Sequence, residues 1–150
     1  VNKNWIDDII LELEHVETPR SWIWWSLATA ISAAMGNNYY LVAFRGAVIY
    51  KANLYVILMG ESGLGKNFPI KLAKNLVSRA DVTRVIFGRS SIQGIIADLS
   101  MQITREKKGP ILDSRALVAN GELATAIIAD PDSLTALTDL YDGNDDWANK

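Results

Sequence analysis

A three-layer α/β fold around a parallel sheet is the class this 150-residue chain predicts, on three observations. From residue 54 onward, apolar runs of strand length alternate with segments of helical periodicity. A glycine-rich loop joins the first of those runs to the first of those helices. A later apolar run, Ala116-Leu117-Val118-Ala119, ends in a polar turn with an acid, Asn120-Gly121-Glu122.

The elements follow in order. Helical segments are expected over residues 5–15 and 20–35, joined by Glu17-Thr18-Pro19, where Thr18 can cap and Pro19 can start the second helix. Gly36-Asn37-Asn38 stops that helix. Two β-rich runs, residues 39–44 and 47–50, form a short hairpin with Arg45-Gly46 as its turn. A strand from Leu54, a loop, and a helix to about residue 78 come next. Strand 84–87, helix 91–103, a loop through Pro110, strand 116–119 and helices near 123–129 and 133–140 complete the pattern. The domain division expected is a helical segment over 1–38 and a nucleotide-binding core over 39–150. The absence of an initiator methionine at Val1 is consistent with a piece of a longer protein, and the core is expected to be truncated at its C-terminal side.

The most informative residues are Gly60-Glu61-Ser62-Gly63-Leu64-Gly65-Lys66-Asn67. They meet the phosphate-loop pattern G-x-x-x-x-G-K-[ST] except at the last position, where Asn67 replaces the hydroxyl residue. The chemistry requires this spacing. Glycines at 60, 63 and 65 take backbone angles forbidden to side chains, so successive amide N–H groups can turn around a polyphosphate. A helix whose apolar stripe is Phe68, Leu72, Ala73, Leu76 and Val77 follows, its N-terminal dipole toward the anion. Pro69 falls in its first turn, where a missing N–H is harmless. A P-loop NTPase core is therefore the expected fold, with ATP as ligand and Lys66 as its phosphate lysine.

Hydrolysis needs a carboxylate at the end of a hydrophobic strand for the metal and a glutamate to orient water. Glu122 is the candidate glutamate, and the alternative is a helix-first-turn acid favoured by the dipole. The aspartate expected before it is Gly121. Asn67 can still offer Mg2+ its amide oxygen, a weaker ligand than an ionised one. Ser90 or Ser91 can cap the helix that follows, while Arg89 can contact phosphate or DNA. The charged loop Arg105-Glu106-Lys107-Lys108-Gly109 is either solvated surface or a strand-backbone contact. The acidic run after Asp139 lacks the glycine and closing glutamate of a calcium loop.

Composition narrows the classes. The chain has no cysteine, which excludes disulfides and thiolate chemistry and agrees with a reducing cytoplasm. Its one histidine, His15, excludes a cluster of histidine ligands within the chain and reads as a surface helix residue. A formal charge of -2 gives no global footprint for nucleic acid. The apolar stretch 22–35 is shorter than the roughly 20 residues of a bilayer crossing, so no membrane is expected. Trp22 and Trp25 fall on one helical face and read as core before they read as a base-stacking platform.

Several of these residues together resemble a known family. Lys51-Ala52-Asn53-Leu54-Tyr55 leading into the loop, Arg89-Ser90-Ser91, the run 118–124 with Glu122, and Leu140-Tyr141-Asp142-Gly143 are similar to segments of the phage and prophage replication ATPases. These are P-loop helicase or primase-helicase domains, close in organisation to RecA-like and AAA+ motors. The resemblance spans about residues 20–146, and its phosphate loop is its specific part. It implies a nucleotide-driven motor on single-stranded DNA, often a homo-oligomeric ring, using ATP and Mg2+. Lys66 would carry over as the β/γ-phosphate lysine and Glu122 as the water-orienting base. Asn67 and Gly121 depart from the family pattern at the two metal-side positions. The competing reading is a non-hydrolysing nucleotide-binding or scaffolding module of a replication complex. A small-molecule kinase fits less well, since no lid or substrate-binding arginine cluster is evident.

Overall fold

The computed structural model describes residues 4–36, 39–46, 48–88, 91–100, 102–105, 109–112, 115–121 and 132–142. Helix α1 (Trp5–Glu12) begins at Asn4, whose side-chain oxygen accepts from the Ile6 N–H at 3.2 Å. Asp7 and Asp8 in its first turn complement the helix dipole. Helix α2 (Arg20–Met35) starts after Pro19 and stops at Gly36, whose φ of 51° ends the helical run. Thr18 does not cap it: no side-chain cap hydrogen bond is made at its start.

Strands β1 (Tyr40–Ala43) and β2 (Val48–Lys51) form an antiparallel hairpin, with Tyr40 opposite Lys51 and Ala43 opposite Val48. A tight turn, Phe44–Gly46, leads from one to the other, with Arg45 outside right-handed helical angles at φ 56° and ψ 34°. Helix α3 (Asn67–Ala80) follows the glycine loop, and Asp81 closes it in the left-handed conformation. Strand β3 (Arg84–Phe87), helix α4 (Ile92–Ser100), the antiparallel pair β4 (Gln102–Arg105) and β5 (Gly109–Leu112), strand β6 (Ala116–Ala119) and helix α5 (Ser133–Asp142) complete the described elements.

The helices pack through the stripe that the sequence marks. Ile6 of α1 and Ile23 and Leu27 of α2 form one buried cluster, against which Phe68, Leu72 and Leu76 of α3 are packed. Ala73 and Val77, on the adjoining edge of the α3 stripe, meet Ala30 of α2 and Leu117 of β6 in a second cluster. Small side chains at Ala30 and Ala73 let two helices and a strand converge there. Ile86, alternating with Val85 along β3, is buried on the other side of that strand.

The expected three-layer core with a parallel sheet is not what the chain forms. Among the described residues the strands occur only as two-stranded pairs, and β3 with β6 is the only parallel one. The strand expected from Leu54 is absent, since residues 52–61 join no ladder. Its side chains show why: Tyr55, Ile57 and Met59 alternate in exposure like a strand, yet no neighbouring strand covers them. The segment is tied instead by single contacts. Ser32 Oγ donates to the Ala52 carbonyl, and Asn53 Nδ2 donates to the Tyr141 carbonyl at 2.6 Å. Tyr55 meets Tyr141 edge-on at 5.3 Å, and burial pushes its phenol pKa up. The loop expected through Pro110 is partly the β4–β5 pair. The helix expected near 123–129 lies outside the described residues.

Candidate phosphate-binding loop

The loop between residues 59 and 67 is shaped by its glycines. Gly63 and Gly65 have φ of 92° and 71°, in the region an L side chain rarely adopts. Residues 60–65 are all exposed, and Gly63 has open space where a Cβ would stand. Gly60 is required for a different reason. A Cβ there would lie 2.7 Å from the Trp22 ring carbons, so only glycine lets the loop pass under α2.

At its far end the loop runs straight into α3. Lys66 already has helical angles and Asn67 is the first helical residue, while the Phe68 N–H donates to the Gly65 carbonyl at 2.9 Å. Pro69 is fully buried in that first turn, where the backbone has no donor to lose. The positive end of a 14-residue helix is thus held beside the exposed loop. The Lys66 side chain folds back over it, and Nζ donates to the Gly60 carbonyl at 2.7 Å. An ammonium and a helix N-terminus therefore border the same few ångströms of loop, an arrangement suited to anionic oxygens.

Two residues that flank the loop were not legible as part of it. Thr18, buried at the start of α2, brings Oγ1 within 2.9 Å of where a Gly65 Cβ would stand. Trp22 covers Gly60, and its partner in the expected core face, Trp25, is exposed and packs edge-on to Trp24 at 4.9 Å. A tryptophan on an apolar helix carries no sequence mark that separates core from loop cover.

The residues after β6 also approach the start of α3. Asn67 Oδ1 lies 3.5 Å from where a Gly121 Cβ would stand. The two positions that depart from the metal-side pattern are therefore neighbours. Between them they present one neutral amide oxygen. Among the described residues no group of three or more His, Cys, Asp or Glu side chains is placed to hold a metal. This donor set fits Mg2+ only as an ion carried by its own phosphate and water ligands, with Asn67 touching it at most once.

Of the other predicted site residues, Glu61, Ser62 and Leu64 are exposed on the loop. Glu122, Arg89 and Ser90 lie outside the described residues. Ser91 Oγ accepts from the Gly94 N–H at 3.2 Å and so caps α4. No family model, curated protein or solved structure matches this chain.

Proposed function

We propose that residues 60–67 bind the phosphates of a nucleoside triphosphate, ATP, and that the chain is part of a helicase-type ATPase of a mobile-element DNA replication protein. The observation that carries the nucleotide reading is the convergence at one loop of two positive-φ glycines, the α3 N-terminus and the Lys66 ammonium at the Gly60 carbonyl. A triphosphate entering the loop would draw the ammonium from that neutral carbonyl to an ionised oxygen, a stronger partner. Gly63 and Gly65 supply a backbone that can approach the phosphates without a side chain between. Mg2+ would arrive with the nucleotide and meet the Asn67 amide oxygen. Single-stranded DNA, a homo-oligomeric ring and a cytoplasmic setting belong to the same proposal and rest on the resemblance of the sequence motifs.

A second reading has its own support. The Asn67 and Gly121 pair lacks both the hydroxyl and the carboxylate of a hydrolytic metal site, as a non-hydrolysing nucleotide-binding or scaffolding module would. Steady-state ATP hydrolysis with and without single-stranded DNA separates the two. Turnover stimulated by DNA is the outcome expected of the motor; nucleotide binding with no turnover under either condition favours the module.

A further inference from the structure

Among the described residues, the exposed large apolar side chains concentrate between residues 39 and 59, and five of them, Tyr40, Leu41, Val42, Ile49 and Tyr50, stand on the two strands of the hairpin. Its tip is sterically unusual. Phe44, Arg45 and Gly46 take φ of 50°, 56° and 94° in succession, and a phenylalanine with positive φ is an outlier. The turn nevertheless holds the Phe44 ring 78% exposed, with Arg45 exposed beside it. A disfavoured backbone that displays an aromatic ring to water has no packing explanation. Residues held in such sparsely populated backbone regions cluster at ligand-contacting sites.

The rest of the hairpin extends the same chemistry. Tyr40 stands directly opposite Lys51 on one face, and Tyr50 stands opposite Leu41 on the other. Both tyrosines are more than half exposed. The chain carries no acidic residue between Glu17 and Glu61, although it is net negative as a whole. An exposed guanidinium at Arg45 beside exposed rings, in a stretch without carboxylates, complements a flexible polyanion with stackable faces. A second copy of the chain is a poorer occupant, because an isologous contact through the hairpin would bring two copies of the Arg45 tip together from stretches that carry no carboxylate.

We infer that the β1–β2 hairpin is a single-stranded nucleic-acid contact, with Phe44 stacking on a base and Arg45 holding a backbone phosphate. The choice of DNA over RNA rests on the proposed replication role; the stacking chemistry does not depend on it.

The test titrates the whole chain into a labelled oligothymidylate of about 16 nucleotides over a salt series, reading fluorescence anisotropy. Phe44→Ala should weaken binding at least about fivefold, the lower end for loss of one stacked base. Phe44→Tyr should restore most of it. Arg45→Gly should flatten the slope of log affinity against log salt by about 0.7, the value for one phosphate contact on a single strand. Glycine also adopts the φ of position 45 freely, so this variant folds at least as well as the parent. The same proteins are titrated with Mg-ATP. Nucleotide binding without oligonucleotide binding overturns the hairpin assignment and leaves the nucleotide site standing; oligonucleotide binding that depends on Phe44, without nucleotide binding, does the reverse. Unchanged affinity and slope in both variants overturns the assignment, as does self-association in sedimentation velocity that Phe44→Ala abolishes.

Discussion

Asn67 and Gly121 sit side by side, the Asn67 Oδ1 atom 3.5 Å from the point where Gly121 would carry a Cβ. One opens helix α3 and the other follows strand β6, so the end of the only parallel pair among the described residues meets the start of the loop helix. A hydroxyl at 67 and a carboxylate at 121 would therefore be neighbours, the two groups a hydrolytic metal site uses.

Replacing Asn67 by serine should therefore strengthen the magnesium dependence of ATP binding, and adding Gly121→Asp should strengthen it further. A Cβ at 121 meets Asn67 Oδ1 at 3.5 Å, an ordinary van der Waals contact. Binding of metal-free nucleotide should change little. Calorimetric titrations with and without Mg2+ check this; equal Mg-ATP affinity in parent and variants would make Asn67 an adapted ligand.

Gly60→Ala should destabilise the fold by about 1–3 kcal/mol, the usual cost of forcing extra volume into a packed contact. Its Cβ would overlap the Trp22 ring, and a rigid indole cannot yield as a flexible chain end can. Urea unfolding of Gly60→Ala in the parent and in a Trp22→Ala background provides the check. The cost should shrink once the ring is gone, and an equal cost in both backgrounds would refute the contact as its cause.

Leu27→Ala should cost about 2–5 kcal/mol, since Leu27 is fully buried where α1, α2 and α3 meet. The urea midpoint should drop with little change in the denaturant slope. A loss under 1 kcal/mol would mean that the three helices are not held by this cluster.

How much of this was legible varies by element, for physical reasons. Helix α2 runs over the residues its pattern marks, and the α3 stripe of Phe68, Leu72, Ala73, Leu76 and Val77 is the face that packs. Strands β3 and β6 also stand at their expected residues, because four-residue apolar runs between turn residues carry a local signal. Residues 54–59 misled. Their apolar alternation reads as a core strand, but a strand exists only with a partner, and pairing is a long-range property that no local pattern encodes. The β4–β5 pair is not expected from the sequence because Gln102 and Ile103 continue the helical pattern of the preceding segment, which in fact ends at Ser100, and the charged connection reads as solvated loop. Glycine spacing made the loop legible, whereas the approach of Trp22, Thr18 and Gly121 to it depends on tertiary packing.

Glu122 lies outside the described residues, one position beyond Gly121. As a water-orienting base it should be replaceable by glutamine without loss of nucleotide binding. Hydrolysis by a protein that turns ATP over should fall by about 10²-fold or more in Glu122→Gln. A glutamine variant with normal turnover would leave Glu122 as a helix-start acid.

The most direct test is calorimetric titration of ATP into the parent and into Lys66→Ala, with circular dichroism to verify that the variant is folded. Removing the ammonium that now bonds the Gly60 carbonyl deletes a charge-assisted phosphate contact of about 1.5–3 kcal/mol. Affinity should fall by at least about tenfold. Unchanged ATP affinity in a folded Lys66→Ala protein would contradict the assignment of residues 60–67 as a phosphate site.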